Sequence, residues 1–321
     1  MSDKISVIIP FYQKELGILS KAVQSVLAQV GVNDVTVIVV DDASPVSART
    51  ELAAIMRDHP GRIVVIEQPN AGPAAARNKG LDNVSTGTEY VAFLDSDDEW
   101  IAGHLANAVT AMAQGYDFYF ADHFQLNQTV SAFNRASRID VGQHPTLADS
   151  EFLHAYSGDM FDQILMGNII GTSTVVYRHA KFPALRFREE FVYAGEDFLF
   201  WLELAKLTDR ITFSALCECR YGAGVNIFSG SGWGTEKSLT RLHHEMKFKK
   251  ALPKLFSLDP TQLAANRQAV NTLRASFVRD LLHRIAHRLP IGREILKSQF
   301  KVDPQSFYYL VPLAARIVLK V

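Results

Sequence analysis

Tyr90-Val-Ala-Phe-Leu-Asp95-Ser-Asp-Asp98 joins an apolar run to a short acidic turn, and this junction decides the fold. The run Tyr90–Leu94 is typical of a buried strand, and the carboxylates follow it at once. In open α/β sheets, ligands bind just beyond the carboxyl ends of the strands. The stretch therefore predicts an α/β sheet with a polar site at one edge.

The same arrangement occurs twice earlier in the chain. The apolar run Ile5–Pro10 leads into Phe11-Tyr12, and Val35–Val40 leads into Asp41-Asp42. Between these runs, apolar residues recur at helical spacing, which predicts a β-α-β-α-β order. Such an order implies a mostly parallel sheet with right-handed crossovers.

The remaining elements are predicted from shorter patterns. These are a strand at 63–66, a helix from Gly72-Pro73 through Leu81, a helix from about Ile101, strands at Asp117–Ala121 and Thr172–Tyr177, a helix at Glu196–Leu207, and a largely helical segment from Thr235. We expect two domains, residues 1–234 with the sheet and residues 235–321 as a helical extension.

The composition is that of a globular protein, but the charge is unevenly distributed. The 321 residues are 48% hydrophobic and 21% charged, with a net charge of −1. Residues 1–240 hold 18 Lys and Arg against 29 Asp and Glu, and residues 241–321 hold 15 against 5. The acidic part favours cations, and the basic part favours an anionic surface.

Two further features bear on the compartment. The only cysteines, Cys217 and Cys219, are predicted to be ordinary thiols, as in a reducing compartment. No signal peptide and no apolar run of about 20 residues is evident. We expect a cytoplasmic protein, at most peripheral on the inner face of the membrane, with no nucleic-acid partner.

The acidic turn suits a metal ion. Asp95 and Asp97 are separated by one residue, so both carboxylates could face one hard cation, Mg²⁺ or Mn²⁺, and leave positions for phosphates. The alternative is a solvated turn that caps the next helix.

Two other segments have similar alternatives. Asp42 could accept hydrogen bonds from a base or a ribose, or be a turn aspartate. The segment Asn70–Gly80 offers an anion site through its helix start, Arg77 and Lys79, or is a surface helix.

Glu196-Asp197 opens a predicted helix that is rich in aromatic residues. Acidic residues are common at helix starts because they favour the helix dipole. The functional alternative is a general base within reach of a hydroxyl group.

The order of the motifs carries more information than any one of them. Val-Ile-Ile-Pro-Phe-Tyr, Val-Val-Asp-Asp-Ala-Ser, Gly-x-x-x-Ala-Arg-Asn-x-Gly, Phe-Leu-Asp-Ser-Asp-Asp and Gly-Glu-Asp follow one another over residues 4–225. This order resembles family 2 of the inverting glycosyltransferases. The resemblance implies the GT-A fold, a Rossmann-like, mostly parallel mixed sheet flanked by helices, here with a C-terminal helical extension.

The resemblance also implies roles for individual residues. Those implied to bind the nucleotide sugar are Pro10, Tyr12, Asp42, Arg77, Asp95 and Ser96, with Pro10 and Tyr12 at the nucleoside, Asp42 at the nucleobase and Asp95 at the ribose. Asp97 would hold Mg²⁺ or Mn²⁺. Asp197 would be the catalytic base, supported by Glu196.

The implied reaction moves a sugar from a nucleotide-diphospho-sugar, taken to be a UDP-sugar, to an acceptor hydroxyl with inversion. The acceptor would be a glycan or a lipid-linked glycan in polysaccharide, lipopolysaccharide or other surface-glycan synthesis. A catalytically silent nucleotide-sugar binder is the alternative. A nicotinamide-dependent oxidoreductase is disfavoured, because no G-x-G-x-x-G follows the first strand.

One departure from the family concerns a histidine. Many relatives carry a histidine after the helix of the base, whereas Arg220–Phe228 has none. Tyr221 or Asn226 would replace it, or the glycine-rich segment would close over bound donor.

The C-terminal segment is basic and partly apolar. Between Asn271 and Val321, nine Lys and Arg stand against three acids, interleaved with aliphatic and aromatic residues. This pattern favours interfacial helices on anionic lipid. The alternatives are that the helices pack on the catalytic domain or form a homodimer.

Overall fold

The computed structural model describes residues 3–225, 232–235, 237–308 and 310. Its strands form one nine-stranded mixed sheet. They are β1 (Ile5–Phe11), β2 (Val35–Asp41), β3 (Ile63–Glu67), β4 (Tyr90–Phe93), β5 (Glu99–Trp100), β6 (Phe118–Phe124), β7 (Leu153–Ala155), β8 (Val176–Arg178) and β9 (Ile211–Arg220).

The order across the sheet is β3-β2-β1-β4-β8-β6-β9-β5, with β7 paired to β9. The four strands β3, β2, β1 and β4 are parallel, as are β6 and β9. The remaining pairings are antiparallel. Because β2 and β4 both lie parallel to β1, Tyr12, Asp42 and Asp95 follow their strands at the same edge of the sheet. The predicted GT-A architecture is confirmed.

Helices between residues 3 and 225 connect the strands. They are α1 (Ile18–Leu27), α2 (Ala48–Asp58), α3 (Pro73–Leu81), α4 (His104–Ala113), α5 (Ala132–Ala136), α6 (Met160–Gly167) and α7 (Glu196–Leu207). The core beneath them comes from alternate strand residues such as Val7, Ile9, Val37 and Val39, all fully buried. Burial of these side chains is the main favourable term in holding the sheet edge rigid.

The structure corrects two predicted elements. Thr172–Thr174 forms a 3₁₀ turn, and the strand there starts only at Val176. The Thr174 hydroxyl donates to the Gly171 carbonyl at the start of the same turn, and the Ser173 hydroxyl donates to Asp98, so the segment leaves the ladder. The helix expected from Ile101 begins at His104, because the preceding Glu99–Trp100 pairs with β9.

The chain divides into two compact units, Met1–Glu190 with Glu196–Val225, and Phe191–Gly195 with Asn226–Val321. The predicted division at residues 234 and 235 stays a prediction. The second unit contains α8 (Ser238–Leu255), α9 (Pro260–Ala286), α10 (Arg293–Val302) and α11 (Gln305–Tyr308). Its core is formed by Leu239, Leu242, Met246, Val270, Phe277 and Leu281.

Part of the basic segment packs inside this second unit. Arg274 is buried in an ion pair with Asp303 (2.7 Å), and Arg284 is buried beside Asp280 (3.4 Å). Leu281, Ile295 and Leu296 pack in the same core. These residues are therefore not available to a lipid surface.

Parts of the segments discussed above lie outside the described residues, among them Asn226 and Phe228 of the glycine-rich segment, and Tyr309, Arg316 and Lys320 of the basic C-terminal segment. No helix within the described ranges is both long enough and apolar enough to cross a membrane.

Candidate active site

The acidic turn after β4 is fixed by residues from distant parts of the chain. Ser173, fully buried, accepts a hydrogen bond from the Asp95 N–H (3.0 Å) and donates one to the Asp98 carboxylate. The Gly222 N–H donates to the other oxygen of Asp98 (3.1 Å). Asp98 is thus a structural member of the turn, while Asp95 and Asp97 remain only partly covered.

The segment after β9 crosses this turn at close range. The Gly224 N–H donates to Oδ2 of Asp97 (2.8 Å), and the Val225 N–H donates to Oε1 of Gln13 (2.9 Å). A Cβ on Gly222 would lie 1.7 Å from the Asp97 carbonyl oxygen, so only glycine fits there. The start of the glycine-rich segment, residues 222–225, is therefore held over the acidic turn. We call these residues the strap.

The turn carries negative charge that the protein does not fully compensate. Burial and the neighbouring Asp95 raise the pKa of Asp97 to about 6. Burial, Asp95 and Asp97 raise the pKa of Asp98 well above its usual value. A cation at Asp97 would relieve this repulsion, so the residues fit Mg²⁺ or Mn²⁺. The part of the chain that the structure describes contains no group of three or more His, Cys, Asp or Glu that could hold a metal ion, so a cation at Asp97 would need further ligands from a bound molecule.

Arg77 lies between the acidic turn and Glu196, the neighbour of the predicted base Asp197. Its Nη2 donates to Asp95 Oδ1 (2.7 Å), and its Nη1 lies 3.8 Å from Glu196 Oε1. The guanidinium packs over the Phe187 ring, and Nε and Nη1 have no hydrogen-bond partner. Arg77 is only 4% exposed, so the surface-helix alternative is wrong for this residue, whereas Lys79 is exposed.

Glu196 and Asp197 are two neighbouring carboxyl groups of different character. Burial and the adjacent Asp197 raise the pKa of Glu196 to about 8, against the opposing effect of Arg77. Burial raises the pKa of Asp197 too, but Arg77 and the Phe198 N–H counteract it. Thr172 donates to Asp197 Oδ2 (3.3 Å) and orients the carboxylate. An oriented carboxylate beside a neutral Glu196 suits proton abstraction near neutral pH.

The two aspartates after β2 serve different purposes. Asp41 accepts hydrogen bonds from the N–H groups of Ser44 and Ala48 and therefore fixes the turn after β2. Asp42 accepts from Ala71 and Gly72 (both 2.8 Å), so its own carboxylate lies at the start of α3. An external anion would have to compete with Asp42 for these amides.

The other predicted nucleotide residues lie around β1. Pro10 is half-buried at the end of β1, and the Tyr12 side chain is 37% exposed. Ser96 is buried, and its hydroxyl accepts a hydrogen bond from Gln13 Nε2 (3.1 Å). Gln13, which sequence reasoning missed, thus links Ser96 to the strap at Val225.

A histidine does lie near the turn, but it comes from β6. The His123 ring stacks on Tyr221, with centroids 4.6 Å apart. Burial lowers the pKa of His123 to about 4, so the ring is neutral. The sequence contains no local pattern that marks His123, Thr172 or Ser173. The two-residue spacing of Gly222 and Gly224 after a strand is the one available signal for the strap.

Comparison with known proteins identifies the family of this chain. The sequence model of the family described as Glycosyl transferase family 2 matches residues 6–180. The succinoglycan biosynthesis protein ExoW of Rhizobium meliloti (strain 1021) is 35% identical over 234 residues, which cover 70% of each chain.

Solved structures show the same fold. S. aureus TarS 1–349 in complex with UDP-GlcNAc has a TM-score of 0.56 and 18% identity, over 94% of this chain and 80% of that one. The mannosyltransferase PcManGT from Pyrobaculum calidifontis, in complex with GDP-Man and Mn²⁺, has a TM-score of 0.57 and 14% identity, over 99% and 81%. At these identities, the likeness concerns the fold.

Proposed function

The chain belongs to glycosyl transferase family 2 and is a glycosyltransferase, and from this premise we propose that it transfers a sugar from a nucleotide-diphospho-sugar to an acceptor hydroxyl, with inversion at the anomeric carbon. We propose a UDP-sugar as the donor. Pro10, Tyr12 and Asp42 would contact the nucleoside, and Asp95 would contact the ribose. Ser96, which lies in the turn between Asp95 and Asp97, is held by the hydrogen bond from Gln13.

The observation that carries the proposal is the position of Arg77. One buried guanidinium contacts Asp95 on the donor side and lies 3.8 Å from Glu196 on the acceptor side. Residues far apart in sequence are thereby held within the reach of one side chain. This proximity supports the proposal, because in a transferase the donor and the acceptor must meet at one carbon.

Asp97 would hold the divalent cation together with the donor diphosphate. When bound, the cation neutralises charge on the departing diphosphate. The chain itself keeps Asp97 in place through Gly222 and Gly224, and Arg77 holds Asp95 beside it. The complex of PcManGT with GDP-Man and Mn²⁺ supports this proposal at the level of the fold.

Asp197 would act as the general base. It would take the proton of the acceptor hydroxyl while the oxygen attacks the face of the sugar opposite the nucleotide. Thr172 fixes one carboxylate oxygen, and Glu196, protonated near neutral pH, adds no second negative charge. One displacement of this kind inverts the anomeric carbon.

The relatives suggest a setting for the reaction. ExoW is described by its part in succinoglycan biosynthesis, and a Bacillus subtilis relative by its part in minor teichoic acid biosynthesis. We propose that this chain also acts in surface-glycan synthesis, on a glycan or lipid-linked acceptor.

A panel of nucleotide sugars tests the proposal. Thermal unfolding is measured with each donor in the presence of Mn²⁺, and UDP release is then followed for the donors that stabilise. At least one UDP-sugar should raise the melting temperature and release UDP. Stabilisation without any UDP release, with or without added sugars, would favour the silent binder instead.

A further inference from the structure

A cavity of about 400 Å³ lies at the carboxyl end of β6, beside β9. Its wall combines a carboxylate, small polar groups and apolar groups, among them Asp122, Phe124, Thr129, Asn134, Ala215 and Cys217. None of the residues proposed to bind the donor, the metal or the acceptor proton lines it. Its volume falls in the usual range for small-molecule sites, about 300–1,000 Å³.

Asp122 is the polar group that gives this cavity a chemical character. The residue is only 4% exposed, yet it lines the cavity. Its Oδ1 accepts hydrogen bonds from the N–H groups of His123 (2.8 Å) and Phe133 (3.0 Å). Within the described ranges no group donates to Oδ2. The carboxylate is thus fixed through one oxygen and open to a ligand hydroxyl through the other.

The backbone of β9 is irregular beside Asp122, because β9 holds the extra residues at two breaks in its pairing with β6. The pairing of β6 with β9 shifts register between Ala121 and Asp122 and again between Asp122 and His123. Irregularities of this kind redirect side chains and are frequent beside active sites. The next residue, His123, stacks on Tyr221, which leads directly into the strap over the acidic turn. Asp122 therefore lies one residue along β6 from a ring that contacts Tyr221, the residue before the strap.

Resting on the proposed transferase function, we propose that this cavity is a subsite for a neutral sugar unit of the acceptor. Asp122 Oδ2 accepts hydrogen bonds from its hydroxyl groups, and Phe124 and Ala215 contact its carbon-bound hydrogens. A phosphate or uronate would be repelled by the Asp122 carboxylate, which selects against an anionic unit.

Cys217 provides a direct measure of occupancy. It is half-buried and lines the cavity, whereas Cys219 is 2% exposed and serves as an unreactive reference. Burial raises the pKa of the Cys217 thiol to about 11, so slow alkylation at mildly alkaline pH is suitable. The full chain is treated with iodoacetamide, and modification is followed by peptide mass spectrometry. The probes are the methyl pyranosides of glucose, galactose and mannose.

At least one methyl pyranoside should slow alkylation of Cys217, by about threefold at twice its dissociation constant. UDP with Mn²⁺ should leave the rate unchanged. Asp122→Asn should remove the protection, and Asn134→Ala, at an exposed rim position, should raise the half-protecting concentration about fivefold. Gln128→Ala, exposed in the loop between β6 and α5 but outside the cavity, should behave as wild type.

The subsite is overturned if no glycoside protects Cys217, or if protection is undiminished in Asp122→Asn. Should Asp122→Asn fail to show a cooperative melt, unchanged protection in Asn134→Ala overturns it instead. UDP release from the donor is measured on the same samples. Donor turnover without glycoside protection removes the subsite and leaves the transferase intact. Glycoside protection without turnover of any donor contradicts the proposed function and leaves a sugar-binding cavity.

Discussion

The backbone N–H of Gly224 donates a hydrogen bond of 2.8 Å to the carboxylate of Asp97, and this contact leaves no room for a side chain on Gly224. A Cβ atom there would lie 2.5 Å from Asp97 Oδ2. Because Asp97 is the proposed metal ligand, a change in the strap at Gly224 should also move the metal site.

Gly224→Ala should therefore weaken Mn²⁺-dependent binding of UDP by about tenfold, the effect of losing one hydrogen bond to a charged group. Titration calorimetry measures this loss. Gly232→Ala is the matched control, because a Cβ at Gly232 meets no atom within 4 Å. Equal affinity in the two variants would show that the strap does not position Asp97.

Asp197→Asn keeps the shape of the side chain and removes its basicity. Turnover should fall by about 10²-fold or more, while the affinity for UDP with Mn²⁺ stays close to that of the wild type. Steady-state rates of UDP release in the presence of acceptor measure the first quantity, and calorimetry the second.

Thr172→Val is compared with Asp197→Asn, because it removes only the hydrogen bond that orients Asp197. We expect a loss of less than about tenfold. Near-normal turnover in Asp197→Asn would reduce Asp197 to a residue of the helix start.

The raised pKa of Glu196 predicts a pH dependence of stability. Between its usual value of 4.5 and about 8, the folded state holds one proton more at this group than the unfolded state. The free energy of unfolding therefore falls as pH rises through that window. Glu196→Gln, which resembles the protonated form, should flatten this fall.

Melting temperatures across the window test that prediction. The melting temperature of Glu196→Gln minus that of the wild type should increase by about 3 °C or more between pH 5 and pH 8.5. A constant difference between the two proteins would contradict the raised pKa.

Contact of the second unit with lipid is best tested without truncation, because its helices share one core. Cutting near Thr261 would remove Val270 and Phe277 from a core that they share with Leu239. We instead reverse three exposed charges, Arg288, Arg293 and Lys301, to Glu. Each basic residue near an anionic surface contributes about 1 kcal/mol, so sedimentation with phosphatidylglycerol vesicles should drop by at least about tenfold.

Reversal of Lys14, Lys21 and Arg57, exposed on the sheet unit, is the matched control and should leave sedimentation unchanged. Absence of wild-type binding to anionic vesicles would contradict a membrane role for these helices.

The sequence predicts those parts of the site that depend on local pattern. Asp42 and Asp95 each follow an apolar run, so the parallel sheet brings them to one edge. The contact of Gly224 with Asp97 could not be predicted, because it joins residues far apart in the chain. His123 was missed for a related reason: inside a buried strand, a histidine differs from its neighbours only through a partner, Tyr221, that folding supplies.

The burial of Arg77 could not be predicted from the sequence around it. It follows Ala74, Ala75 and Ala76 and precedes a lysine two residues later, a pattern that suits a solvated helix face. All three alanines and Arg77 are buried; the Asp95 carboxylate compensates the charge of Arg77, and the Glu196 carboxyl group lies 3.8 Å away. The burial of Arg77 is explained only by the positions of Asp95 and Glu196 in the folded chain.

The most direct test of the central claim is calorimetry of UDP binding to the wild type and to Asp97→Ala, each with Mn²⁺ and with a chelator. The wild type should bind UDP at least about tenfold more tightly with Mn²⁺, because a shared cation contributes more than one charge-assisted contact. Asp97→Ala should bind equally weakly in both conditions. Wild-type affinity that is the same with Mn²⁺ and with chelator would contradict a metal-dependent nucleotide-sugar site at Asp97.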